Sequence, residues 1–389
     1  MSVPIVLALP VTPRLRECLF LRELPWAKAI VARKIGIAPG GHSGVIRAFQ
    51  ALPCASCYRM LGDREDNMTK HLLGRRTALI TGAALLAAPR LARAAWPERP
   101  VRIIVAFPPG SSTDVVARAL AMRLETLLGH AVPVENRGGA GGNIGTQAVK
   151  GATDGHTLLM HSTAFCVNPS LYRAAGYGLG DFTTIAVVAT APNAFFVHPS
   201  VPARNLTELL SHMRANPGMA YAHSGTGTTP HLGAELLFRT LAKVEATPVA
   251  FGPAQAATAV LANQAPIGST SLPPALPLIR EGRVRPIAVA GAERDPTLPD
   301  VPTVAEQGFP GFAASTWFGL FAPARQSSDA LARLAAEVPR AMADPELKAR
   351  LATLSLTDPG LAGPAAADFV RREAQIWAEV VKTSGATAD

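Results

Sequence analysis

The chain has 389 residues, of which 48% are hydrophobic, 6% aromatic and 17% charged, with a formal net charge of +9. That apolar content supports a large buried core, and the length suits two domains. The basic excess lies in residues 1–94, which hold 14 of the 37 Lys and Arg but 5 of the 28 Asp and Glu; the rest balances at 23 of each sign, so nothing in the body asks for nucleic acid.

Residues 1–67 show no sustained periodicity, because Pro or Gly interrupts every apolar run. The character changes at Met68. A basic stretch (Lys70, Arg75, Arg76) precedes an apolar run over 77–88, and Ala92-Arg93-Ala94 supplies an A-x-A cleavage signal. This pattern predicts a cleavable secretory signal peptide over 68–94, cut near Ala94, too short in its apolar part to span a membrane. The Arg75-Arg76 pair fits a twin-arginine signal and equally an ordinary basic n-region. The expected true start is Met68, with 1–67 a leader from a misplaced start codon. Cys18, Cys54 and Cys57 fall in the leader and Cys166 alone in the body, so the body holds no intramolecular disulfide and an oxidising compartment is permitted. Cys54-x-x-Cys57 has no second pair beside it and is a weak metal or redox signal.

From residue 95 strands and helices alternate. VRIIVAF (101–107) reads as a buried strand, PPGSS as a tight turn, and the following residues as a helix with Val115, Val116, Ala119, Leu120 and Leu124 on its apolar face. Strand 131–136, the loop GGAGG (138–142), a helix from Asn143 and strand 156–162, ending at Ser162-Thr163, continue the pattern. Two apolar runs within 183–198, broken by Pro192, suit strands passing between domains. A second series follows: helix 205–215, strand 219–224, loop GTGTTPH, helix 231–242, strand 247–251, helix 253–263, and strands 265–271 and 285–291. A strand-like return, STWFGLFAPA, leads into C-terminal helices near 328–354 and 364–384. The expected fold is therefore α/β: two lobes, 95–195 with 315–389 and 196–314, joined by crossing strands with a ligand cleft between them. In such sheets ligands bind beyond the carboxyl ends of the strands.

Two turns carry candidate chemistry. Ser111, Ser112, Thr113 and Asp114 crowd one helix start, where they either cap its free N–H groups or help those groups hold an anion. Gly225-Thr226-Gly227-Thr228-Thr229-Pro230-His231 repeats the arrangement in the second lobe, with glycines that permit close backbone approach and threonines that add hydroxyls. His231 has two readings there, packing or capping on one side and ligand contact on the other. Nucleotide sites are excluded, since there is no G-x-x-x-x-G-K-[ST] and GGAGGNIG has the wrong spacing for a dinucleotide fingerprint. No G-x-S-x-G elbow or H-E-x-x-H motif occurs, and Cys166 has no evident His partner, so neither metal nor cofactor is expected. An enzyme or sensor protein on the same scaffold, acting on a small organic acid, is the alternative reading; 1–67 shows no helix-turn-helix pattern for a regulator.

The segments FPPGSSTDVVAR, VENRGGAGGNIGTQAV, ATDGHTLLM with NPSLY, SGTGTTPHLGAELL, RPIAVAGAERDPTLPDVPTVAEQG and STWFGLFAPA resemble, in this order, the Bug (tripartite tricarboxylate transporter) extracytoplasmic solute receptors. The resemblance covers essentially all of 96–389 and does not touch 1–67. It implies a periplasmic, monomeric, non-catalytic receptor with a two-lobed periplasmic-binding-protein fold of type II-like form. Such a receptor closes on a small organic carboxylate and hands it to a tripartite tricarboxylate transporter permease, with no nucleic-acid partner. By the same resemblance the ligand-facing segments are the first loop (Phe107, Pro108, Gly110, Ser111, Ser112, Thr113, Asp114), the turn Ser162-Thr163, and Ser224, Gly225, Thr226, Gly227 and Thr228 with His231. The chain departs from the pattern in three places. Ser111 stands where glycine is usual, Phe251 ends a segment that commonly carries Tyr and Lys, and Thr270-Ser271 replaces Asp-Asn. Loss of that Asp implies a poor match for a protonated amino group, and Phe251 either lines the cleft or belongs to the core.

Overall fold

The apolar run before the first Pro-Gly turn forms β1 (Arg102–Val105), and the helix after it is α1 (Ser112–Leu128), with Val116, Leu120 and Leu124 buried. The chain is seen here in a computed structural model that describes residues 96–384, 387 and 388; the leader and signal-peptide readings over 1–94 lie outside the described residues. β2 (Val134–Asn136), α2 (Asn143–Lys150) and β3 (Thr157–Ser162) complete the first alternation, and β1 pairs in parallel with both other strands. A helix the sequence reading lacked, α3 (Ala164–Leu171), follows β3 directly. Pro169 hid it, since a helix-interior proline leaves the carbonyl four residues back without a donor. That carbonyl belongs to Phe165, and the Tyr177 hydroxyl supplies the missing donor at 2.9 Å.

β4 (Phe182–Val197) crosses from one lobe to the other. The two apolar runs expected as separate strands are one strand, because Pro192 sits at the changeover and its missing N–H ends no ladder there: Pro192 still faces Ser315, and Asn193 faces Ser271 on a different partner.

The second lobe is built from α4 (Leu206–Ala215), β5 (Met219–His223), α5 (Thr229–Glu235) running into a π-helical turn (Leu236–Leu241), β6 (Ala246–Ala250), α6 (Gln255–Leu261), β7 (Ile267–Ser271), α7 (Leu272–Arg280) and β8 (Arg285–Val289). β5 is parallel to β6 and β7, while β7 and β8 run antiparallel to β4. Neighbouring strand residues point to opposite faces, so Phe195 packs with Leu209, Met213 and Phe238 on one side and Phe196 with Val260, Leu272 and Leu276 on the other. α7 was also absent from the sequence reading. Two of its prolines, Pro273 and Pro274, occupy the first turn, where a helix loses nothing by lacking N–H groups.

The chain returns through β9 (Ser315–Pro323), antiparallel to both β3 and β4, and ends with α8 (Ser328–Met342), α9 (Pro345–Ala352), β10 (Leu361–Ala362) and α10 (Gly363–Ser384). The single helix expected over 328–354 is split because Asp344 caps a fresh start, accepting from the Leu347 N–H at 3.0 Å, with Pro345 as first residue. The strand order is β2-β1-β3-β9-β4-β7-β5-β6, with β8 and β10 also on β4. Each lobe thus has a parallel trio bordered by antiparallel crossing strands.

One packing constraint is tight enough to test. Gly268 in β7 lies opposite Phe196, and a Cβ there would sit 2.4 Å from the Phe196 ring and 2.9 Å from Val260. Overpacking of this kind costs about 1–3 kcal/mol. We predict that Gly268→Ala lowers the thermal midpoint by roughly 2–4 °C per kcal/mol while far-ultraviolet circular dichroism stays that of the wild type; an unchanged midpoint would show that Phe196 moves aside freely.

Candidate functional site

Four helices aim their N-termini at the seam between the lobes, α1 and α3 from the first and α5 and α7 from the second. Their capping or first-turn residues Ser112, Thr113, Ser162, Thr228, Pro230 and Ser271 line one small cavity there, with Phe107, Ser224, Pro253, Thr316 and Phe318. None of these side chains is ionisable. Unbonded N–H groups and the helix dipole make each such terminus partly positive, so the cavity favours an anion without an arginine or lysine. Its volume is about 20 Å³, room for roughly one water. The lobes close on each other through hydroxyls: Ser112 Oγ lies 2.8 Å from Ser271 Oγ, and Thr229 Oγ1 lies 2.6 Å from Thr316 Oγ1.

The first loop is held from below. Ser111 is the N-cap of α1, its Oγ accepting from the Asp114 N–H at 3.2 Å, so its side chain is turned onto the helix while Ser112 and Thr113 face the cavity. Asp114 is buried and fully engaged: Arg118 Nε donates to both its oxygens, and Gly110 N and Asn136 Nδ2 donate at 3.0 and 2.9 Å. Burial is the largest influence on its carboxyl and opposes ionisation, but Arg118, Gly110 and Asn136 together outweigh it and hold the pKa below the ordinary value. Asp114 therefore braces the loop that carries Phe107, Pro108 and Gly110. It does not line the cavity.

At the second turn, Ser162 lines the cavity, whereas Thr163 Oγ1 accepts from the Trp317 N–H at 3.0 Å and ties α3 to β9. The fully buried His161 accepts from the Ser162 N–H through Nδ1 at 2.9 Å and meets the Phe107 ring edge-on.

In the second lobe, two imidazoles carry the glycine loop. His223 and His231 stack with ring centres 4.4 Å apart, and their Nδ1 atoms accept from the N–H groups of Gly225 and Gly227 at 3.2 and 3.4 Å. Thr228 Oγ1 closes the loop on Gly225 O at 2.7 Å. Close approach explains Gly227, which packs on the first lobe: a Cβ there would lie 2.2 Å from Leu171 Cδ2. Within the first lobe, a Cβ on Gly141 would lie 2.8 Å from the Tyr172 hydroxyl. Of the remaining expected residues, Thr270 is buried and bonds Ser224 Oγ at 2.7 Å, positioning a lining residue from behind. Phe251 packs against the second-lobe core beside α6 and does not line the cavity. Sequence reasoning missed Ser271, Pro253, Thr316, Phe318, His161 and His223. Only Ser271 carried a usable signal, a serine directly before a Pro-rich helix start.

A larger groove of about 550 Å³ opens on the first lobe between β4, α8 and α10. It is mostly apolar, it shares no residue with the cavity, and no set of helix N-termini converges on it.

Comparison with known proteins follows this geometry. Residues 116–385 match the family model of the tripartite tricarboxylate transporter family receptor, TctC. The periplasmic binding protein BugD superposes with a TM-score of 0.72 at 33% identity, covering 76% of this chain and all (100%) of that one. Rpa4515 of R. palustris, solved with adipate, gives 0.70 at 30% identity over 75% of this chain and 99% of its own. MatC of Rhodopseudomonas palustris, solved with bound malate, gives 0.69 at 33% identity over 74% and 100%.

The buried imidazoles leave a mark on pH dependence. Desolvation pushes His161 down to about 4 and His223, with help from His231, down to about 3, and burial lowers His231 as well. A histidine whose folded pKa lies below its ordinary 6.5 takes up its proton first in the unfolded chain, so stability is full above 6.5 and falls as pH drops toward the folded values. We predict a thermal midpoint that declines steadily from about pH 6.5 to pH 4.5. A midpoint that stays level across that range would mean that these rings take up protons as readily in the fold as in the unfolded chain.

Proposed function

We propose, for a chain that belongs to the tripartite tricarboxylate transporter receptor family, that the solute this receptor captures is a small carboxylate-bearing organic anion destined for uptake across the inner membrane. The observation that carries the reading is the neutral cavity: helix N-termini and hydroxyls from both lobes meet there, and no charged side chain lines it. Such donors hold a carboxylate, and the rest of its shell is completed by bridging waters. The adipate and malate found in Rpa4515 and MatC are acids of this class. The ligand-facing set is Phe107, Ser112, Thr113, Ser162, Ser224, Thr228, Ser271 and Thr316. Pro108, Gly110, Ser111, Asp114, Thr163, Gly225, Thr226, Gly227, His231 and Thr270 serve by holding those residues in place.

Capture without turnover agrees with this arrangement. Asp114 is spent on Arg118 and Asn136, and His231 on Gly227, so neither is presented as a base to a bound acid. The lobes are taken as 95–195 with 315–389 and as 196–314. Receptors of this family are periplasmic binding proteins, and no helix among the described residues is long and apolar enough to cross a membrane. Export through a signal peptide at 68–94, a monomeric state and a tripartite tricarboxylate transporter permease as membrane partner complete the proposal.

The test is a thermal shift of the purified protein against mono- and dicarboxylates, aromatic acids and amino acids. A ligand at about a hundred times its Kd adds about 2.7 kcal/mol, a rise of roughly 2–4 °C per kcal/mol for a chain near this size. With Thr270 and Ser271 in place of Asp-Asn, succinate should raise the midpoint more than aspartate does. No shift with any acid would defeat the carboxylate reading, and a larger shift with aspartate would defeat the preference against amino groups.

A further inference from the structure

We propose that Asn193 is a specificity-determining residue of the cavity, its side-chain amide donating a hydrogen bond to an anionic oxygen of the bound solute. The inference rests on the receptor reading above and adds to it a residue outside the ligand-facing segments, on the crossing strand itself. Asn193 is the first residue of β4 to pair within the second lobe, directly opposite Ser271. Residues opposed in an antiparallel pair share a face of the sheet, with Cβ atoms about 5 Å apart. Ser271 and Thr316 line the cavity, and the Asn193 side chain lies directly behind them, beside Ser271 in the sheet and bonded to Thr316.

Its orientation follows from a chain of hydroxyls. Thr316, also a lining residue, donates through Oγ1 to Asn193 Oδ1 at 2.8 Å, and Thr229 Oγ1 lies 2.6 Å from Thr316 Oγ1. A threonine hydroxyl has one proton. Thr316 commits it to Asn193, so Thr229 donates to Thr316, and Oδ1 is held on that side. Nδ2 is left buried and without a hydrogen-bond partner among the described residues, in a side chain that is 1% exposed. Buried amide donors are nearly always paired, and an orphan directly behind Ser271 and Thr316 of the cavity points to a ligand acceptor there.

This donor does something the surrounding hydroxyls do not. A serine or threonine hydroxyl both donates and accepts, so it receives a carboxylate or an ammonium alike. The Asn193 Nδ2 group can only donate. It accepts a carboxylate and rejects an ammonium, and so sets the sign of the group admitted beside Ser271 and Thr316.

Asn193→Asp separates this role from a structural one, because it keeps an oxygen for Thr316 in the same shape and replaces the donor by an acceptor. Asn193→Ala removes the donor without introducing a buried charge and serves if the Asp variant does not fold. Succinate, malate, adipate and aspartate are titrated calorimetrically into the wild type and both variants, with melting curves as the check on folding. We expect succinate, malate and adipate to bind about 100-fold more weakly to N193D and about 10-fold or more weakly to N193A. The succinate-to-aspartate affinity ratio should fall in N193D, since a second carboxylate oxygen welcomes the amino group. Wild-type affinities in either variant, or an equal loss for succinate and aspartate in N193D, would overturn the assignment alone. A wild type that binds none of the four would overturn the carboxylate reading and the assignment with it.

Discussion

The ladder between β4 and β9 carries both lobes, running from Phe182 opposite Pro323 to Pro192 opposite Ser315. Its backbone hydrogen bonds fix where the parallel trio of the first lobe ends, through β3 against β9, and β4 then continues as the spine of the second. A connection made of paired strands keeps the lobes in register. Pro192 lies where the strand changes partners, a position at which a missing N–H costs the sheet least. The helix N-termini meet at the seam because each follows a strand whose carboxyl end faces it, the general place for ligands in open α/β sheets.

Chemistry at the seam is distributed between the two lobes. Neither supplies a full charge, so a bound anion depends on many partial ones. Ser112 and Thr113 belong to one lobe and Ser271 and Thr228 to the other. The structure brings them together at the seam, and a ligand that binds this arrangement better than a more open one would draw the protein toward it. The residues behind the cavity matter for the same reason. Asp114, Thr163, Thr270 and the stacked imidazoles spend their polar atoms on loops and turns, which spares the lining groups from choosing among conformations.

Much of the fold was legible in the sequence because its signals are local. Continuous apolar runs, Pro-Gly turns and crowded Ser and Thr at helix starts each report on the next few residues, and they located β1, α1, the glycine loop and β9. What was missed depended on distant partners. α3 looked unfavourable until Tyr177 supplied the Phe165 carbonyl with a donor. The proline-rich stretch that opens α7 was given no element, and with it went the meaning of Ser271. The first and second site loops were found by their composition. Asp114 and His231 could not be sorted from the lining residues in advance, because a carboxylate bound to Arg118 and Asn136 and one facing a ligand look the same in a sequence. Phe251 belongs to the core for a comparable reason, since only the packing of α6 decides which side of the chain it faces.

One glycine at the seam has a consequence for how this receptor can change over time. Gly227 meets Leu171 of the other lobe with no space for a methyl group, whereas Gly141 is crowded by Tyr172 of its own lobe. Gly227 does not line the cavity, yet its lack of a side chain sets how near the lobes approach there. Drift at this position would therefore retune the strength of capture while leaving the lining side chains, and with them the choice of solute, unchanged. Strength and choice are separate inheritable traits in this molecule, written in different residues.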